Sequence, residues 1–289
     1  MGVPLGQASI RRFSNENLFI QILENVRETD VFVVQPFSSP VHENIMELLI
    51  MMDALRSASA RRITAVIPYY SYARSDKKDA PRISIAGRLM ADLLVTAGAN
   101  RVLTMTLHKP QVHGFFSVPT DHLYATPILC NYFRQLDLRN TVAVASDAGH
   151  VKEAANYAER LHLPLAFVDK RRLSDLEVEA QAVVGDVRGK NVIIFDDEIA
   201  AGSSLMATVN ALQEFGVGEL RSGCTHGVLC ADAVAKIDRS PLTEVVVANT
   251  VPVRPEKRID KITVLSVAPL FGEAIKRIHT GESVSSLFV

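Results

Sequence analysis

At 289 residues with 48% hydrophobic side chains, the chain has the length and core material for one large domain or two of ordinary size. A net charge of −1 argues against general nucleic-acid or membrane-surface binding, which favours a basic surface, and leaves room only for a local basic pocket. No apolar run approaches the roughly 18 residues of a membrane span, and the N-terminal MGVPLGQASIRRF lacks the charged-then-apolar order of a secretion signal.

In chain order, short apolar strands alternate with amphipathic helices. DVFVVQ (30–35) reads as a strand, and NIMELLIMMDALRSA (44–58) as a helix with Ile45, Leu48, Leu49, Met52 and Leu55 on one face. RITAVIPYY (62–70), the helix SIAGRLMADLLVTAG (84–98) and RVLTMTLH (101–108) continue the alternation. A helix follows Pro127 in PILCNYFRQL. Then TVAVASD (141–147) leads into VKEAANYAERL (151–161), and LAFVD (165–169) into a polar stretch. NVIIFDD (191–197) leads into SSLMATVNALQEFG (203–216), with Leu205, Val209, Leu212 and Phe215 on one face and Gly216 as a C-cap. EVVVAN (244–249), ITVLSV (262–267) and the helix APLFGEAIKRIHT (268–280) complete the series. Such alternation signifies βαβ units and mainly parallel sheets. The units are too many for one sheet and the pattern restarts near residue 125, so two α/β domains are expected. Cys130, Cys224 and Cys230 have no close pair with metal or redox spacing. They are expected to be reduced core residues of a soluble cytoplasmic protein.

In open α/β sheets, ligands sit at the carboxyl ends of the strands, so strand-terminating residues carry the functional signal. In VIIFDDEIAAGSSL (192–205), Asp196 and Asp197 end an apolar run. Ser203 and Ser204 are placed to cap the next helix, and Gly202 lets the backbone approach an anion. Two carboxylates would repel a phosphate but suit hydroxyl groups or a divalent cation, which makes a sugar phosphate the natural ligand. An ordinary strand–turn–helix connection with capping serines would carry the same residues. FVDKRRLSD (167–175) sets Lys170, Arg171 and Arg172 in an expected loop, either a solvated basic turn or a polyphosphate grip. IPYYSYARSDKKDAPRIS (67–84) adds Arg74 and Asp79, an arginine being able to stack on adenine or hold phosphate. His108 and Asp147 fall at two further strand ends, as structural residues or as ligands of one Mg²⁺.

Taken with RRFSNEN, ENVRETDVFVVQ, LHKPQVHGFF, GDVRGKNVIIFDDE, EAIKRIHTGESVSSLF and the long block 46–78, these stretches resemble the ribose-phosphate diphosphokinases, or phosphoribosyl pyrophosphate synthetases, over nearly the whole chain. The resemblance implies two phosphoribosyltransferase-like domains, each a mainly parallel sheet flanked by helices. Residues 1–124 would form the ATP side and residues 125–289 the ribose 5-phosphate side. It implies transfer of a diphosphoryl group from MgATP to ribose 5-phosphate. Arg74, Asp79 and His108 would contact ATP, with Phe13 and Asn15 reaching it from a neighbouring subunit. His108 and Asp147 would hold Mg²⁺, and Lys170 and Arg172 would cover the transferring phosphates from a mobile loop. Asp196 and Asp197 would meet the ribose hydroxyls, and Ala201, Gly202, Ser203 and Ser204 the 5-phosphate. A dimer-based homo-oligomer, a hexamer by analogy, would complete the ATP site.

Several positions depart from the family pattern. Ala200 and Ala201 stand where an Asp-Thr pair is usual, Glu153 where an arginine is, Asn17 for Glu, Ser75 for Gln and Thr106 for Asp. Each lost hydrogen bond to a charged group is worth about 1.5–3 kcal/mol, so weaker ribose 5-phosphate binding is expected. A strand and helix that precede RRFS in the family have no counterpart here, which predicts an N-terminal sheet with exposed apolar surface. Three functions fit: an active, divergent synthetase; a non-catalytic paralogue that binds nucleotide or phosphate and joins an active synthetase as a regulatory subunit; and diphosphoryl transfer to another phosphorylated acceptor.

Overall fold

The computed structural model describes residues 2–172 and 178–287, the side chains of residues 170–172 and 178–181 excepted. The chain divides into two units, Met1–Tyr124 with Ala268–Val289, and Ala125–Val267. The last helix thus belongs with the first unit, and the second stops short of the expected boundary at residue 289. A part-buried ion pair ties the C-terminal end of that helix to Asp30 and Arg62 of the first unit. Arg62 donates through Nε and Nη2 to the Asp30 carboxylate and through Nη2 to the Ile278 carbonyl, and His279 Nδ1 lies 2.8 Å from Asp30 Oδ2.

In the first unit, β1 (Ala8–Arg12) and β2 (Leu18–Ile22) form an antiparallel hairpin. Next come β3 (Asp30–Val34), α1 (Val41–Ser57), β4 (Arg62–Ile67), α2 (Ala86–Ala97), β5 (Arg101–Met105) and β6 (Thr120–Leu123). The last four strands make one parallel sheet in the order β3-β4-β5-β6. Helix α1 buries Ile45, Leu48, Met52 and Leu55, whose spacing of three or four residues puts them on one stripe. That stripe packs in one cluster with Ile63, Ala65 and Ile67, the alternate residues of β4. Leu49 is partly buried beside it. At the β3 edge of the sheet Val34 is 56% exposed.

The second unit holds α3 (Thr126–Phe133), β7 (Thr141–Ala145), α4 (Val151–Leu161), β8 (Leu165–Arg172), β9 (Val178–Val184), β10 (Asn191–Ile199), α5 (Ser203–Glu214), β11 (Leu220–Gly227), α6 (Ala233–Arg239), β12 (Leu242–Ala248) and β13 (Ile262–Leu265). Its sheet runs β13-β12-β11-β10-β7-β8-β9, parallel except for β9. Helices cover both faces. Val192 and Ile194 of β10 join Leu205, Val209 and Leu212 of α5 and Ala233 and Ile237 of α6 in one core. Phe195, which points to the other face, stacks on Tyr157 of α4 with centroids 4.1 Å apart and meets Phe133 of α3 edge-on at 5.6 Å. Gly223 of β11 makes room for that aromatic group, since a Cβ there would fall 2.7 Å from Phe133 Cε2.

Four expectations change. The strand begun at Asn191 runs through Asp196 and Asp197 to Ile199. The backbone of Lys170–Arg172 belongs to β8, paired antiparallel with β9, and is not a loop. Phe215 is 38% exposed because α5 ends at Glu214, one residue before it. Cys130 and Cys224 are buried free thiols, but Cys230 is exposed on the β11–α6 connection. Among the described residues, no helix is long and apolar enough to cross a membrane.

Candidate active site

From β7 the chain of the second unit moves one way to β8 and β9. It then returns to the opposite side of β7 for β10 to β13. The neighbouring strands β7 and β10 therefore flank a topological switch point, where the carboxyl ends of an open parallel sheet form a crevice for ligands. Asp147 follows β7, and Asp196 and Asp197 lie near the carboxyl end of β10. The structure brings these three predicted carboxylates into one cluster.

Asp147 adopts an extended backbone and caps the short turn Ala148–His150, its Oδ1 accepting from the Gly149 N–H at 2.8 Å. That turn delivers His150, which the sequence reading missed. His150 Nδ1 lies 2.9 Å from Asp147 Oδ1, and Nε2 lies 3.3 Å from Asp197 Oδ1. Burial pushes the imidazole pKa down, but the hydrogen bond to Asp147 and the close approach of Asp197, backed by the charge on Asp196, outweigh it and raise the pKa to about 10. The ring is thus an internal cation between two acids. Burial and the Asp197 charge raise the Asp196 carboxyl well above the usual range, with His150 opposing them. Three carboxyl groups around one imidazolium, one of them with a raised pKa, still leave a negative balance that suits hydroxyl donors and a hard cation. The spacing Asp-x-x-His at a strand end was the available signal, because residues three apart share a face of the following turn.

The segment after β10 forms an anion cradle. Gly202, at φ 76, turns the chain into α5 and is its N-cap, while Ser203 and Ser204 are the first helical residues. The serines do not cap the helix as expected, since a left-handed glycine already occupies the cap position. Their backbone N–H groups open the helix at the positive end of its dipole, and its first turn holds no acid. Ala200 and Ala201 are half-buried and add no polar side chain.

The remaining predicted residues are placed as follows. Phe13 and Asn15 occupy the β1–β2 turn. Phe13 is 55% exposed and edge-on to Phe19, and Asn15 Oδ1 accepts from the Asn17 N–H. Arg74 ends a 3₁₀ turn after β4, and Asp79 lies further along the same connection, both exposed. His108, half-buried, follows β5 in the first unit, whereas Asp147 belongs to the second. The side chains of Lys170 and Arg172 lie outside the described residues. Glu153 sits in the first turn of α4, with Oε2 buried and without a hydrogen-bond partner.

Two family models match the chain. The N-terminal domain of ribose phosphate pyrophosphokinase covers residues 1–98, and the phosphoribosyl synthetase-associated domain covers residues 176–289. The chain is 54% identical over 294 residues to a ribose-phosphate pyrophosphokinase of Deinococcus radiodurans, covering 100% of this chain and 92% of the relative. It is 48% identical over 290 residues to a ribose-phosphate pyrophosphokinase of Clostridium acetobutylicum, covering 100% and 91%. Among solved structures, phosphoribosylpyrophosphate synthetase from Mycobacterium smegmatis matches with a TM-score of 0.90 at 40% identity, covering 96% of this chain and 92% of that one.

Proposed function

The chain belongs to the ribose-phosphate pyrophosphokinase family, and from that premise we propose that it transfers the diphosphoryl group of MgATP to the anomeric hydroxyl of ribose 5-phosphate, giving phosphoribosyl pyrophosphate and AMP. One observation carries the residue assignment. A carboxylate cluster at the sheet's switch point and a helix N-terminus opening just after β10 offer, in one unit, partners for the two halves of a sugar phosphate. Asp196 and Asp197 accept hydrogen bonds from the ribose hydroxyls. The N–H groups of Ala201, Gly202, Ser203 and Ser204 and the two serine hydroxyls take the 5-phosphate.

Phosphoryl-type transfer depends on in-line positioning and on neutralising spreading negative charge, more than on covalent help from the protein. The carboxylate oxygens near Asp147 fit Mg²⁺, a hard cation that takes oxygen ligands. When bound, it would neutralise phosphate charge, with Asp147 supplying an oxygen. Arg74, Asp79 and His108 are assigned to MgATP on the first unit, with Phe13 and Asn15 offered to a neighbouring copy. Lys170 and Arg172 are assigned to the transferring phosphates. A dimer-based homo-oligomer in the cytoplasm completes the reading.

The test is AMP release by the purified full chain with MgATP, with and without ribose 5-phosphate, beside Lys170→Ala. Ribose-dependent release that the substitution abolishes is expected. A folded protein that binds ATP yet releases no AMP would sink the enzyme reading and leave a regulatory subunit in its place.

A further inference from the structure

Three successive carbonyls of the cradle loop are held by one neighbouring segment. Leu229 N–H donates to the Ile199 oxygen at 3.0 Å, Cys230 N–H to the Ala200 oxygen at 3.0 Å, and Lys236 Nζ to the Ala201 oxygen at 3.1 Å. The same ammonium donates to Ser203 Oγ at 3.2 Å and pairs with Asp232 at 2.9 Å. The holding segment adopts an uncommon backbone to do this. Leu229 and Ala231, on either side of Cys230, both sit at φ 49, in the left-handed region that residues with a Cβ seldom enter. Loop and helix lie close together, since even a Cβ on Gly202 would come into ordinary contact with the helix, 3.5 Å from Ala233 Cα and 3.8 Å from Lys236 Cδ.

We propose that Lys236 is a positioning residue for the phosphate of the acceptor, a role that rests on the reading of this loop as the ribose 5-phosphate cradle. Two consequences follow from its contacts. By holding the Ala201 carbonyl, it fixes the peptide unit that leads into Gly202 and the first N–H groups of α5. By donating to Ser203 Oγ, it occupies a lone pair of that oxygen, so the hydroxyl hydrogen is left to point at an incoming phosphate oxygen. It also brings a positive charge to a loop whose side chains at 200 and 201 are methyl groups. An ordinary exposed i,i+4 pair with Asp232 would need neither Ala201 nor Ser203. The ammonium makes those contacts as well, across more than 30 residues of sequence.

The experiment uses the full chain and three variants, Lys236→Met, Lys236→Gln and Lys236→Arg, with folding checked by circular dichroism. Initial rates of AMP release are measured against each substrate, and ribose 5-phosphate binding by calorimetry. Met and Gln should raise both the KM and the Kd for ribose 5-phosphate roughly tenfold, the scale of a lost charge-assisted hydrogen bond. The KM for ATP and kcat should stay within about twofold, since an interaction formed equally in ground and transition states changes KM alone. Arg should recover most of the loss. A folded Met or Gln variant with the wild-type KM for ribose 5-phosphate overturns the assignment, as does an equal loss against both substrates that Arg does not rescue. A wild-type chain that neither binds ribose 5-phosphate nor releases AMP with it overturns the functional reading itself, and that result appears before any variant is made.

Discussion

His150 Nε2 stands 3.3 Å from Asp197 Oδ1 while its Nδ1 holds Asp147, so one imidazole links the acid that follows β7 to an acid of β10. The ring is 9% exposed and Asp197 7%, which keeps water from replacing the contact with Asp197. His150→Ala should therefore lower the unfolding free energy by about 1.5–3 kcal/mol, the worth of hydrogen bonds to charged partners. Asp197→Asn in the same background removes the uncompensated acid and should return part of that loss. The coupling in a double-mutant cycle is expected at about 0.5–3 kcal/mol by urea denaturation. Strictly additive losses would show that the two side chains do not share charge.

The aromatic group on the other face of β10 gives a second test. A methyl group at Gly223 would meet Phe133 Cε2 at 2.7 Å and Phe195 Cε1 at 3.0 Å, both ring atoms of buried residues already packed against Tyr157 or each other. Gly223→Ala should cost about 1–3 kcal/mol as overpacking. Phe133→Leu, which opens space on that side, should make the glycine substitution cheaper than it is alone. Wild-type stability in Gly223→Ala would mean that β11 shifts freely, contrary to its pairing with both β10 and β12.

The sequence pattern exposed the elements whose apolar residues are contiguous or evenly spaced. Val142–Ala145 and Val192–Phe195 are apolar without a break because helices cover both faces of their sheet. Strand β11 passed unread because Ser222, Thr225 and His226 interrupt it, although all three are buried. Strand β1 is short, polar and mostly exposed, and β6 reads Thr-Asp-His-Leu, with Asp121 paired to Arg101, so neither has the expected apolar run, whereas the apolar Leu18–Ile22 of β2 was passed over. At the site, Asp196, Asp197 and Gly202 were legible because they adjoin one strong strand. His150 carried only the weak signal of lying three residues after Asp147, in a turn with no apolar pattern of its own. Lys236 had no local signal, since its partners come from a loop more than 30 residues earlier.

The two alanines of the cradle make their own prediction. Ala200 and Ala201 present methyl groups beside a helix N-terminus, where hydrogen-bonding side chains would add to the backbone donors. Ala200→Asp with Ala201→Thr should lower the KM for ribose 5-phosphate roughly tenfold, if the two restored contacts together approach the value of one hydrogen bond to a charged group. The KM for ATP should change little. Initial-rate measurements over both substrates decide the matter. A higher KM for ribose 5-phosphate would mean that the loop around His150 and Lys236 has closed over the space those side chains need.

The last prediction concerns acid. The Asp30 side chain is 2% exposed and faces Arg62 from β4 and His279 from the C-terminal helix. Burial alone would raise its pKa, but the hydrogen bonds from Arg62 and His279, with their charges, outweigh burial and hold the carboxyl below the usual range. A carboxyl with a depressed folded-state pKa stabilises the protein fully above its unfolded-state value, about 3.9. That contribution fades as the pH falls through the folded-state pKa. Asp30→Asn should therefore cost about 1.5–3 kcal/mol at pH 7. The gap from wild type should narrow below about pH 4, where the unfolded chain takes up its proton first and the native carboxylate follows. Thermal melts at intervals between pH 7 and pH 3 would show the two curves converging. A gap of constant size across that range would mean that the charge on Asp30 is not what ties the C-terminal helix to β3 and β4.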